Sequence, residues 1–278
     1  MFEKIAYYFS FDFVRYAMIV GVLVSICAAL FGVILVLKRF SFIGDGLSHV
    51  AFGAMAIAAV AGVSEHMIVV MPITILAAII LLGVGKNAKV KGESAVAMVS
   101  AGAMSVGYII MSVFSTSGNV AGDVCGTLFG SFTILTLHKT DIIICLTMSV
   151  IVLVLFVLAY NRMFAVTFDE DFARATGVRA TLNNLAIAVV TAIIIVLAKK
   201  LVGSLLVSAL LIFPALSAMR VTRSFKATVM VSVALSVVCS SLGIIAAILL
   251  STPVGPTVVC ADVVAFGACC VAGKLLKR

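Results

Sequence analysis

The chain has no tryptophan, three histidines, four prolines and 11% charged residues among its 278. Each scarcity excludes something. A soluble domain carries about 25% charged and about 45–50% apolar residues. Here apolar residues reach 64%, and that surplus has no place in water, so a soluble fold is excluded. Without tryptophan, any interfacial aromatic belt has to come from Tyr and Phe. Three histidines are too few for the firm three-ligand metal centre and catalytic base of an intramembrane metalloenzyme, the more so because His66 and His138 fall in expected outer loops. The seven cysteines contain no Cys-x-x-Cys pair and lie mostly in apolar runs, where they read as small buried hydrophobes. No energy source is encoded. Gly83-Val84-Gly85-Lys86-Asn87 resembles the end of a phosphate loop but lacks its Gly-x-x-x-x-Gly-Lys-Ser/Thr pattern. Gly-x-Ser-x-Gly and His-Glu-x-x-His are missing too. Active transport would therefore draw on a partner subunit or an ion gradient.

What the chain does have is long apolar runs without the alternation of a barrel strand, so an all-α polytopic membrane bundle is expected. Nine runs approach spanning length: residues 14–37, 47–62, 67–84, 94–114, 141–160, 182–198, 202–219, 227–250 and 256–272. Eight or nine transmembrane helices follow, in a single domain over residues 1–278. The first run is too long for a signal-peptide core and no small-residue cleavage site follows it. The net charge of +8 does not indicate nucleic acid, because the basic residues sit in short loops. With the N-terminus outside and the C-terminus cytoplasmic, all 19 basic residues except Lys4, Arg15, Lys139, Lys199 and Lys200 face the cytoplasm. The Lys199-Lys200 pair is the exception to that pattern, and it leaves open a cytoplasmic hairpin for the sixth and seventh runs.

The most informative stretch is Lys38-Arg39-Phe40-Ser41-Phe42-Ile43-Gly44-Asp45-Gly46-Leu47-Ser48-His49. On a helix, Asp45 and His49 share one face, one turn apart. An ionisable residue in a membrane helix costs about 2.5–3.5 kcal/mol on insertion scales, so it marks an ion or proton path. Carboxylate plus imidazole suits zinc, manganese or iron. The competing reading is that His49 merely bonds Asp45 or a backbone carbonyl between helices.

Other features are secondary. Thr167-Phe168-Asp169-Glu170-Asp171-Phe172-Ala173-Arg174-Ala175-Thr176-Gly177 predicts a short amphipathic cytoplasmic helix. Thr167 is the expected N-cap, the acids fill the first turn, Arg174 lies late and Gly177 closes the helix. Phe168, Phe172 and Ala175 form its apolar stripe, and a protein groove suits its acidic start better than an anionic lipid surface. Gly122, Gly126 and Gly130 share a helical face, which suits close packing or a re-entrant segment. Asp123 beside them reads as a loop or cap acid. Pro214 should kink the seventh span. Asp262, inside the last span, is a second intramembrane ligand, a bond to a neighbouring helix, or a side chain reaching for the interface.

Three stretches in order resemble the permeases of zinc/manganese/iron-type metal ABC importers, and the similarity extends over nearly the whole chain. They are Val36 to His49, Phe168 to Val178, and Leu201-Val202-Gly203-Ser204-Leu205-Leu206-Val207-Ser208-Ala209-Leu210-Leu211-Ile212-Phe213-Pro214-Ala215. Phe40 and Phe42 are bulkier than that pattern suggests. The resemblance implies no tightly bound cofactor, a transported divalent metal ion, two cytoplasmic ABC ATPase subunits, an extracytoplasmic metal-binding protein, and a second permease, most simply another copy. It places the intramembrane ligands on Asp45 and His49. It places the ATPase-coupling helix on Asp169–Thr176, with Phe168, Phe172 and Arg174 docking in the ATPase. A secondary transporter or channel would also use an intramembrane Asp/His pair, but would not need the Phe168–Gly177 segment.

Overall fold

The computed structural model describes residues 7–63, 67–87, 92–114, 126 and 139–275. Ten helices run through these residues: α1 (Asp12–Leu37), α2 (Ile43–Val60), α3 (Met67–Asn87), α4 (Gly92–Phe114), α5 (Lys139–Phe168), α6 (Glu170–Ala175), α7 (Ala180–Val202), α8 (Ser204–Val221), α9 (Phe225–Leu250) and α10 (Val254–Leu275). Each of the nine apolar runs has a helix at its place, with α6 as the short insert between α5 and α7. By length and composition, seven helices can cross a membrane, while α3 and α8 contribute shorter apolar segments. The glycine triplet, apart from Gly126, lies outside the described residues, as do Asp123, His66 and His138.

The core sits around α1, which packs against α5, α7, α8 and α9. Its sequence is apolar on every side, so no face of it belongs at a polar surface. Ala28, Phe31, Val33 and Ile34 have no exposed surface at all. By contrast, α4 and α5 turn Ile109, Val157 and Leu158 outward, which suits a lipid-facing shell. Some polar side chains inside the bundle are satisfied between helices: Ser240 bonds Ser25 across α9 and α1 at 3.2 Å, and Ser236 donates to the Ser25 carbonyl at 3.1 Å.

Two glycines set the geometry that matters for function. A Cβ on Gly32 would lie 2.1 Å from the carbonyl oxygen of Leu211, so only glycine lets α1 and α8 touch backbone to backbone. Gly203 has φ +93° and alone separates α7 from α8. A residue with a side chain is strained in that region. Pro214 lies inside α8 and does not end it.

The Lys199 expectation is corrected. Rather than lying in an outer loop, Lys199 is 5% exposed on α7, its Nζ 5.2 Å from the centre of the Phe52 ring on α2. Among the described residues its ammonium has no hydrogen-bond partner. The helix simply continues past the basic doublet to Val202.

Candidate functional site

Asp45 lies in the first turn of α2, where helix polarity favours an acid. One turn on, His49 brings Nε2 to 3.6 Å from Asp45 Oδ1, beyond hydrogen-bond length. The imidazole is therefore placed beside the carboxylate without being locked onto it. Ser208 of α8 donates from Oγ to the same Oδ1 at 3.4 Å, and also to the Ser204 carbonyl at 3.3 Å. Among the described residues, buried His49 Nδ1 has no hydrogen-bond partner. The Asp45 side chain is 49% exposed and that of His49 19%. Asp45 opens on a cavity of about 470 Å³ between α2 and α4, whose polar lining comes from Ser94 and Ser100, with Met104 beside them.

One chain thus presents a carboxylate, an imidazole and a hydroxyl. Among the described residues no three His, Cys, Asp or Glu side chains gather at one point. Asp262 does not join the pair. It is 2% exposed on α10, and Cys239 of α9, next to it, donates to the Ala261 carbonyl at 3.9 Å.

The short helix expected after Thr167 forms, with its start shifted. Thr167 is not the N-cap: it lies in the last turn of α5 and donates to the Met163 carbonyl at 2.6 Å. Asp169 caps α6, its Oδ1 accepting from the Phe172 amide at 2.9 Å. Glu170 and Asp171 fill the first turn, and Arg174 pairs with Glu170 at 2.6 Å. Gly177, at φ +84°, closes the helix through a bond to the Arg174 carbonyl. The expected stripe is also redistributed. Phe168 ends α5 and stacks with Phe164 and Phe225, while Ala173 rather than Ala175 is the residue buried on α6. Phe168 and Phe172 remain 59% and 63% exposed, and the Arg174 side chain is exposed as well.

Two further residues escape sequence reading. Asn184 is buried on α7; its Nδ2 donates to Glu170 Oε2 at 3.1 Å, and its Oδ1 accepts from Lys38 at the end of α1. Ser208 is a serine in an apolar run, and only the packing of α8 on α2 shows that it reaches Asp45.

Residues 10–272 match the ABC 3 transport family. A Thermotoga maritima protein named "Probable metal transport system membrane protein" is 32% identical over 260 residues, covering 92% of this chain and 89% of its own. The high-affinity zinc uptake system membrane protein ZnuB of Buchnera aphidicola is 28% identical, with 90% and 94% covered. The structure of PsaBC from Streptococcus pneumoniae in complex with Fab superimposes with a TM-score of 0.83 at 26% identity, over 96% of this chain and 94% of that one. The family match runs over almost the full length of this all-helical bundle: the chain belongs to the ABC 3 transport family, and is a multi-pass membrane permease of an ATP-binding-cassette transporter rather than an enzyme.

Proposed function

We propose that this permease imports a divalent transition metal ion of the zinc, manganese or ferrous iron kind, and that the ion passes over Asp45 and His49. One observation carries the reading. In a largely apolar bundle, a carboxylate that opens on a cavity has an imidazole one turn away, 3.6 Å from it and unlocked. Both are donors that such ions accept. Held loosely, they can turn to an ion without first breaking a bond.

A second copy of the chain related by a two-fold axis would bring the same pair, giving two oxygens and two nitrogens for a four-coordinate ion. So few ligands suit transit, because a tighter cage would slow release. Ser208 helps orient Asp45 from the α8 side. The ion is cargo, and no resident cofactor is needed.

The drive comes from an ABC ATPase docked on the cytoplasmic face through Phe168, Asp169, Glu170, Asp171, Phe172, Arg174 and Gly177. Two exposed aromatics and an exposed cation on one short segment suit a protein groove better than water. An extracytoplasmic metal-binding protein delivers the ion at the opposite face. The basic loops favour an N-terminus outside and a cytoplasmic C-terminus, in a cell membrane.

The test is uptake of Zn²⁺ and Mn²⁺, each alone, by the reconstituted complex carrying Asp45→Ala or His49→Ala. Loss of uptake in both, with ATP hydrolysis retained, is expected. Uptake unchanged in both excludes the site.

A further inference from the structure

We propose that Lys38, Asn184 and Glu170 form a polar link that transmits movement of the cytoplasmic helix α6 to the corner carrying Asp45 and His49. The proposal rests on the permease reading above and adds to it the route by which ATPase motion reaches the metal ligands.

The link has three members on three elements. Glu170 is in the first turn of α6 and is held on one side by Arg174 at 2.6 Å. Its other oxygen accepts from Asn184 Nδ2 at 3.1 Å. Asn184, on α7, is 5% exposed, and it uses both ends of its amide: Oδ1 accepts from the Lys38 ammonium. A buried amide with both ends engaged by charged side chains resists displacement, because breaking either bond strands a polar group away from water.

Lys38 is the first residue past α1, and the corner it opens is rigid. Lys38 N bonds the Ile34 carbonyl at 3.0 Å, Phe40 N bonds that of Leu35 at 2.8 Å, Ile43 N bonds that of Phe40 at 3.0 Å, and Gly46 N bonds that of Phe42 at 3.0 Å. Arg39 holds φ +61° within it. A pull on Lys38 therefore reaches the first turn of α2 with little slack, and Asp45 is in that turn. The competing route is covalent, from α6 into α7 and then by packing of α7 on α2 and α3. That route needs neither Lys38 nor the Asn184 amide.

The experiment uses the full complex with its ATPase in liposomes, with Zn²⁺, Mn²⁺ and Fe²⁺ as probes. It compares Asn184→Leu, which keeps the volume and removes both bonds, with Lys38→Met and the double variant. Metal moved per ATP hydrolysed should fall by about 2- to 30-fold in each single variant, the range seen for substitutions along a coupling chain. ATPase assembly and hydrolysis without metal should match the parent. The double variant should be no worse than the more severe single, since a chain cut once is already cut. An unchanged ratio in both single variants overturns the link, and so do losses that multiply in the double. If Asn184→Leu fails to assemble, Lys38→Met decides alone by the same ratio. A parent complex that moves none of Zn²⁺, Mn²⁺ and Fe²⁺ would instead sink the metal-import reading, and the link with it.

Discussion

Replacing Gly32 by Ala tests how closely α1 and α8 approach, and with it the placement of Ser208. The new Cβ would sit 2.1 Å from the Leu211 carbonyl oxygen, 2.9 Å from its carbonyl carbon and 3.2 Å from its Cα. These are backbone atoms inside a helix and cannot rotate aside. Normal contact needs roughly 1 Å more, so the helices separate or tilt. Overpacking of a filled core costs about 1–3 kcal/mol, and a clash with backbone belongs at the upper end. At about 2–4 °C per kcal/mol for a large domain, the melting temperature should drop by roughly 6–12 °C. Tryptophan fluorescence is no use in this chain, so the assay is a thiol-reactive dye in detergent, reading the buried Cys27, Cys145 and Cys239 as they become accessible. Because Ser208 lies one turn before Leu211, metal uptake should fall as well. A Gly32→Ala permease that melts with the parent would refute the backbone contact between α1 and α8, and with it the reason given for the position of Ser208.

Two further outcomes follow from the geometry. Arg174→Glu removes the 2.6 Å pair with Glu170 and sets two acids one turn apart; co-purification of the ATPase should fall several-fold while metal binding by the permease is unchanged, and normal co-purification would argue against docking through α6. Lys199→Met replaces a buried ammonium, which has no hydrogen-bond acceptor among the described residues, by an apolar chain of similar length; it should raise stability by about 1–3 kcal/mol in the same dye assay, and a lower melting temperature would mean that the ammonium has an acceptor or that its contact with the Phe52 ring outweighs its burial.

Much of this was legible in the sequence because one force dominates. A bilayer requires long apolar runs, and runs of spanning length read directly as helices α1 to α5 and α7 to α10. Asp45 and His49 stood out because a charge inside such a run needs a reason. The failures were local or tertiary. Thr167 and Asp169 are both good caps, and the choice depends on how far α5 continues; Thr167 bonds Met163 instead. Lys199 is the exception to the basic-residue count because α7 carries it into the bundle, under the Phe52 ring. Asn184 and Ser208 belong to no spacing motif. Their partners lie 146 and 163 positions away in the chain, at Lys38 and Asp45, and only folding brings them together.

Gly203 has a further consequence. With a single residue as joint, the rotational phase of α8 is fixed by that of α7, and the serine five positions later inherits it. An extra residue there would swing the following helix by about 100°, carrying the Ser208 hydroxyl off the Asp45 carboxylate and the Leu211 carbonyl out of the notch at Gly32. A change in length at this joint would therefore cost both the Ser208 contact and the close approach at Gly32.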